Sequence, residues 1–290
     1  MSAVLSRLAL ALMWLLHWLP LPAIRAVGAG LGIVLYLAIP QRRRIVMTNL
    51  RLCFPEHDDA WQRNIMRRHF VLFAQSALDR VLFWWAPEAR LKRLIRVHGL
   101  EHLTDAEGRP TILLVPHFVG LDAAGVVMTM AAPMVSIYSR IKNPHFDARF
   151  LAGRLRFNQP LLLSRQDGMR RVLKALKDGY PFFYLPDLDF GAKDSVFVNF
   201  FGVPAATVTG VSRLARLSGA RVVPCIARMM PHGYDVTLMP AWDNYPGESL
   251  EADTRHMNAV IEAEVKKMPE QYFLSHKRFK TRPPGEKGVY

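Results

Sequence analysis

The sequence predicts an α/β fold: an α/β sandwich around a mixed, largely parallel sheet, preceded by an N-terminal hydrophobic membrane-anchoring helical segment. Two patterns carry that prediction. From residue 97 onward, short apolar runs rich in β-branched residues alternate with helix-length patterns, the arrangement that builds strands joined by crossover helices. Before residue 40 the chain is almost wholly apolar, and the Gln41-Arg42-Arg43-Arg44 cluster follows at once. These patterns divide the chain into an anchor over residues 1–40 and one catalytic-sized domain over residues 41–290.

The anchor consists of two apolar runs, residues 8–24 and 26–40, the first broken by Pro20 and Pro22. Each is shorter than the roughly 20 residues of a straight membrane span. One tilted span, a re-entrant helical hairpin and an interfacial anchor therefore all fit. A cleaved leader is not expected, because the opening residues carry only Arg7 and no small-x-small site precedes a polar start. The basic cluster after Pro40 places the following domain on the cytoplasmic side by the positive-inside rule.

Residues 45–96 read as helical. Trp61, Ile65, Phe70, Phe73, Leu78 and Leu82 fall at helical spacing over residues 59–86, and Pro87 ends the run. Trp84 and Trp85, followed by Arg90, Lys92, Arg93 and Arg96, suit an interfacial patch or a core-facing pair beside a solvated face. Strands are predicted at 112–115, 135–138, 161–163, 182–185, 222–227 and 236–239, and helices at 123–130, 145–157, 169–177, 208–217 and 253–267. The stretch 200–207 reads as an apolar wall leading into a helix start, and the tail from Pro269 is basic and proline-rich.

Composition narrows the function. A net charge of +14 over 290 residues favours polyanionic partners: nucleic acid, an anionic membrane surface, or phosphorylated and acidic substrates. Cys53 and Cys225 are the two cysteines, far apart in sequence, so a disulfide framework and a zinc site are both unsupported. Without a glycine-rich phosphate loop, a serine nucleophile elbow or a base paired with either cysteine, no cofactor is expected and an acyl-enzyme route has no support. Direct attack by an acceptor hydroxyl on an activated group remains.

The chemistry centres on residues 111–128, TILLVPHFVGLDAAGVVM. Pro116 stops a buried strand and Gly120 permits a sharp turn, so His117 sits at a strand's carboxyl end, where α/β sheets place their sites. On a continuous helix His117 and Asp122 would point roughly 140° apart. Across a turn they can meet, Asp122 accepting from one ring nitrogen while the other acts as a base. The plainer alternative is that Asp122 caps the helix and His117 is a loop residue. Asp187 and Asp189 follow another strand end and read either as site residues or as a polar turn. Among the arginines between residues 149 and 171, Arg165 and Arg154 are the candidates for binding phosphate or carboxylate. The others are expected on solvated helix faces, and Lys277, Arg278 and Lys280 either reach a headgroup or form a charged tail.

H-x-x-x-x-D after an apolar strand resembles the signature shared by glycerolipid acyltransferases and the late acyltransferases of lipid A biosynthesis. NLRLCFPE (49–56), VHGLEHL (97–103), YLPDLDFG (184–191), VFVNFFGVPAATVTG (196–210) and PEQYFLSHKRFKTRP (269–283) resemble the lipid A branch, lauroyl and myristoyl transferases included. The resemblance implies an acyltransferase that moves a fatty acyl chain from an acyl carrier protein thioester to a hydroxyl of a lipid A precursor, often bearing Kdo sugars. It implies His117 as general base oriented by Asp122, and Arg154, Arg165, Asp187 and Asp189 toward the substrate. Its expected partners are acyl carrier protein, a phosphorylated glycolipid acceptor and the anionic inner-membrane surface, with the catalytic domain on the cytoplasmic face. Nucleic acid is not expected, since no nucleic-acid-binding motif accompanies the positive charge. An acyltransferase acting on another glycolipid or on a glycerophospholipid is the rival enzyme, and a non-catalytic membrane-surface or nucleic-acid binding protein the rival of another class.

Overall fold

The computed structural model describes residues 3–290. Its centre is a seven-stranded sheet ordered β1-β9-β8-β2-β5-β3-β4. The strands are β1 (Ile95–His98), β2 (Thr111–Leu114), β3 (Val135–Tyr138), β4 (Leu161–Ser164), β5 (Phe182–Tyr184), β8 (Arg221–Met230) and β9 (Gly233–Leu238). All neighbours run parallel except β8 and β9, which form an antiparallel hairpin. A separate hairpin is made by β6 (Ser195–Phe200) and β7 (Val203–Val208).

Alternation along the strands divides the interior into two layers. Ile112, Leu114, Phe182 and Val222 belong to one core, Leu113, Val115, Phe183 and Val223 to the other, as expected when successive side chains leave opposite faces of a strand. β2 is buried along its whole length, which explains why it reads as a continuous apolar run. Helices α6 (Leu121–Ala131), α7 (Pro144–Arg154), α8 (Gly168–Lys177), α9 (Gly210–Ser218) and α10 (Leu250–Lys267) lie close to their predicted positions. Pro224 is tolerated inside β8 because it stands at a changeover: residues up to Pro224 pair with β2, and residues from Cys225 pair with β9.

Two readings need correction. The stretch expected to be helical through residue 96 instead ends in α5 (Glu88–Leu94) and enters β1, where the β-branched Ile95 and Val97 join the sheet edge beside β9. Ala205, Ala206 and Thr207 do not start a helix; they form β7, and the following helix begins at Gly210. The turn between β6 and β7 holds Phe201 at φ 53° and Gly202 at φ 76°, a reversal that a helix-oriented reading of the pattern misses.

At the N-terminus are α1 (Ala3–Leu16), α2 (Leu21–Ala38) and α3 (Pro40–Cys53), followed by the 27-residue α4 (Asp59–Trp85). Pro20 and Pro22 break the first apolar run where α1 ends and occupy the cap and first turn of α2, where a missing N–H costs nothing. α4 is capped by Asp58, which accepts from Trp61 N at 2.8 Å. α2 lies tightly along α4. A Cβ on Gly28 would fall 2.8 Å from the Gln75 Cα, and one on Gly32 2.6 Å from the Val71 Cα, so glycine sets this close approach.

From α2, Arg25 penetrates the protein. Its Nε donates to Asp79 Oδ2 at 3.1 Å, and its remaining nitrogens reach the carbonyls of Met230, Pro231 and Gly233 at the β8–β9 turn. Tyr234 also donates to Asp79, at 2.6 Å. The opposite faces are apolar and exposed: Leu8, Leu12 and Leu15 on α1, Val27, Leu31 and Val34 on α2, with Trp18 between them. α2 is also long and apolar enough to cross a membrane, by length and composition. Of the tryptophan pair, Trp84 is buried against Phe150 and Gly153, whereas Trp85 is part-exposed under the Arg149 guanidinium.

Candidate active site

The carboxyl ends of β2, β3, β4 and β5 lie along one edge of the sheet, because these strands are mutually parallel. After β2, Val115 N still donates to Tyr184 O at 2.9 Å, and Pro116 then turns the chain out to His117. The loop is held on three sides. Val119 N donates to Gln271 O at 2.9 Å, Phe273 N donates to His117 O at 3.0 Å, and Ser76 of α4 donates to Val119 O. A side chain at Gly120 would lie 2.8 Å from the Ala227 carbonyl oxygen, so this turn rests directly on β8.

His117 is bound by Asp187, not by Asp122. The ring Nδ1 lies 2.6 Å from Asp187 Oδ1, and the backbone N–H of the same histidine donates to Oδ2 at 2.9 Å. A carboxylate against Nδ1 fixes the tautomer protonated there and leaves Nε2 as the nitrogen available to a substrate. The side chain of Asp187 is 1% exposed and that of His117 17%. Burial acts to raise the Asp187 carboxyl, but the His117 charge and hydrogen bonds outweigh it and hold the group below the ordinary carboxylate range.

Asp122, in the first turn of α6, was expected to face the ring. Instead its Oδ2 accepts from Arg80 Nε at 2.6 Å. Burial again acts to raise this carboxyl, and the charges of Arg80 and Arg154 prevail and lower it. The physical reason for the change of partner is position. Asp187 leaves β5 beside β2 and presents both oxygens to the histidine, while Asp122 faces α4 and the end of α7.

The remaining candidates separate. Arg154, at the end of α7, lies over the Tyr138 ring at 5.6 Å. The backbone of Arg165 opens a 3₁₀ turn directly after β4, and its side chain lies outside the described residues. Asp189 is 4% exposed, and its carboxylate is occupied by the tail: Thr281 donates through N at 2.7 Å and Oγ1 at 2.8 Å, and Gly191 N donates at 2.9 Å. Arg149 and Arg156 reach carbonyls at the end of α4, namely Trp84 for the first and Phe83 and Ala86 for the second. Arg278 is buried, bonded to Ala206 O at 2.8 Å and Thr207 Oγ1 at 2.7 Å, so it ties the tail to β7.

Three residues at the site had no assigned role from the sequence. Arg80 lies five residues before the end of α4, where nothing in the helical pattern distinguishes it. Phe273 stacks between His117 and His276, its ring 6.1 Å from each, and faces Phe73 at 5.7 Å. His276 accepts from Asp189 N at 3.1 Å; burial first, and then the charges of His117 and Arg278, lower its pKa to about 4, so it is neutral at physiological pH. The tail motif around residues 269–283 was the available signal for the last two.

Both cysteines are buried, and burial pushes their thiols up, that of Cys225 to about 12, so neither supplies a thiolate near neutral pH. A histidine base backed by a buried carboxylate at the carboxyl edge of a largely parallel sheet suits a group-transfer enzyme in which the acceptor itself is the nucleophile. The model of the bacterial lipid A biosynthesis acyltransferases matches residues 2–281, and the chain belongs to that family. It is therefore an acyltransferase.

Among its relatives, the chain is 36% identical to the lipid A biosynthesis lauroyltransferase of Escherichia coli K12, over 99% of this chain and 94% of the relative. It is 32% identical to the palmitoleoyltransferase of the same strain over the same shares, and 34% identical to its myristoyltransferase over 84% and 77% of the two chains. The crystal structure of a 1-acyl-sn-glycerophosphate acyltransferase from Thermotoga maritima overlaps 84% of this chain and 98% of its own, with 14% identity and a TM-score of 0.42.

Proposed function

We propose that the protein transfers a fatty acyl chain from an acyl carrier protein thioester to a hydroxyl of a lipid A precursor, on the cytoplasmic face of the inner membrane. The observation that carries this reading is the His117–Asp187 pair at 2.6 Å in a chain of the lipid A acyltransferase family. The acceptor hydroxyl donates its proton to His117 Nε2 as its oxygen attacks the thioester carbonyl. The carbon–sulfur bond then breaks, and the thiolate leaves with a proton returned by the imidazolium. Asp187 stabilises the imidazolium through Nδ1 and keeps the ring in place.

The exposed apolar faces of α1 and α2 support seating at the bilayer interface. α2 is fixed along α4 by Gly28, Gly32 and the buried Arg25, an arrangement suited to a helix lying at the interface with its outer face in lipid. Asn143, just beyond β3, donates to Ser6 of α1 at 2.8 Å. α1 thus contacts the loop between β3 and α7, at the carboxyl end of the sheet, which supports an acceptor arriving from the bilayer. The net charge of +14 suits an acidic carrier protein, a phosphorylated glycolipid and anionic headgroups alike.

The test is transfer from acyl carrier protein thioesters to Kdo-bearing lipid A precursor by purified protein, read by mass spectrometry. Wild type should add one acyl chain, and His117→Ala should fall to background while still folding and fractionating with membranes. Near-normal turnover by a well-folded His117→Ala protein would sink the mechanism. Transfer only to glycerophospholipid acceptors would sink the substrate assignment.

A further inference from the structure

His117 and Asp187 stand on separate loops, one after β2 and one after β5, and a third segment touches both. Phe273 N donates to His117 O at 3.0 Å, and His276 Nε2 accepts from Asp189 N at 3.1 Å. Residues 273–276 therefore bridge the two strand-end loops. The bridge is neither helix nor strand, so its buried carbonyls need partners from elsewhere. Helix α3 supplies them. Arg42 donates to Ser275 O at 2.9 Å, and Asn49 donates through Nδ2 to Leu274 O and to His276 O, each at 2.7 Å. On its other side Asn49 Oδ1 accepts from the Tyr290 hydroxyl. Asn49, which opens the NLRLCFPE stretch, is 2% exposed. Two carbonyls on one side and a hydroxyl on the other call for an amide, because a carboxylate has no proton to offer the carbonyls.

We propose that residues 273–276 set the spacing between the His117 and Asp187 loops during acyl transfer, with Asn49 and His276 as the positioning residues of that bridge. This rests on the acyl-transfer reading above and adds to it the device that keeps the base and its carboxylate in register. Asn49 fixes the bridge at residues 274 and 276, and His276 passes that constraint to the loop of Asp187. The contact between His117 Nδ1 and Asp187 Oδ1 is 2.6 Å long, and a hydrogen bond weakens steeply once its angle opens. A loosened bridge lets the two loops drift apart and the imidazole lose its orientation, while the strands beneath stay paired.

The experiment measures acyl transfer by the purified full-length protein as wild type, Asn49→Asp, Asp187→Asn and the double variant. Asn49→Asp removes both donors at nearly constant size. kcat should fall on the order of 10–10²-fold with KM little changed, the scale on which a displacement of about 1 Å at reacting groups costs rate. In the Asp187→Asn background the same substitution should cost little more, because the pair it positions is already broken. A residue that only supports the fold would lower both backgrounds by one factor, so additive losses would overturn the proposal. Wild-type kcat in a folded Asn49→Asp protein would do the same. If Asn49→Asp does not fold, the other end of the bridge carries the test: His276→Gln keeps an acceptor for Asp189 N and should retain most of kcat, whereas His276→Leu should lose the factor given above. Equal kcat in those two variants would overturn the bridge. Proton NMR reads the geometry without turnover: the His117 Nδ1 proton shared with Asp187 should resonate far downfield in wild type and lose that position in His276→Leu. An unmoved resonance would count against the bridge, whereas absence of acyl transfer by wild type would sink only the functional reading on which the proposal rests.

Discussion

At the scale of single residues, the sharpest expectation concerns Asp187→Asn. The amide preserves size but withdraws the charge that stabilises the imidazolium and leaves the Nδ1 tautomer unspecified. kcat should fall on the order of 10²–10⁴-fold, the range of general-base catalysis, with little change in KM. Single-turnover acyl transfer measures this directly, and a loss under 10-fold would remove Asp187 from the mechanism. The sequence made His117, Asp122 and the acidic pair after β5 legible, because each follows a strand end with turn chemistry. It could not show which carboxylate meets the ring. His117 and Asp187 are 70 positions apart, and only the pairing of β2 with β5 brings them together. Arg80 was hidden for a related reason: a lone arginine within a long helix has the same local pattern whether it faces water or a carboxylate.

Among the elements, the segment over residues 269–281 packs against the His117 loop and meets a buried histidine of α4. His69 of α4 is 1% exposed, and its ring nitrogens lie 3.2 Å from Glu270 O and 3.3 Å from Ser275 Oγ. Burial lowers its pKa from 6.5 to about 4 despite raising contributions from backbone hydrogen bonds. Because the folded value lies below the unfolded one, this contribution to stability is fully present above about pH 6.5 and is lost as pH falls toward 4. At about 1.4 kcal/mol per unit, the change amounts to about 3 kcal/mol. Amide hydrogen exchange in residues 269–281, corrected for intrinsic rates, should therefore be less protected at pH 5 than at pH 7, and His69→Gln should flatten that dependence. A pH-independent protection pattern in wild type would show that the docking does not sense His69. The strands of the central sheet were readable from apolar run length. The β6–β7 hairpin was not, since its alternation is weak and its turn places Phe201 in the left-handed region, a conformation no propensity scale assigns to phenylalanine.

For the molecule as a whole, the apolar helices and the catalytic layer form one packed body. Arg25 and Asp79 are both buried, so Arg25→Ala should strand a carboxylate and cost about 3–5 kcal/mol. Asp79→Leu combined with Arg25→Met should recover most of that loss in a chemical-denaturation midpoint; a double variant as unstable as the single one would refute the account. The proposed association with lipid runs through the opposite, exposed apolar faces. Replacing Leu8, Leu12 and Leu15 with serine should weaken binding to anionic vesicles on the order of 10²-fold, at about 1 kcal/mol per side chain, while detergent-solubilised turnover changes little. Unaltered vesicle binding would place the membrane contact elsewhere. The sequence drew a boundary at residue 40 because hydropathy ends there, but hydropathy does not register a single arginine that enters the interior. Arg25 meets carbonyls at residues 230–233, and the loop of His117 is closed by residues 271–273. Synthesis on the ribosome gives these contacts an order in time. The first helices emerge long before the turn that receives Arg25, and His117 emerges long before the strand-like segment that covers it. A nascent chain stalled before residue 230 should leave its apolar helices unlatched, available to lipid first and to the catalytic layer only later, so that membrane capture precedes completion of the enzyme.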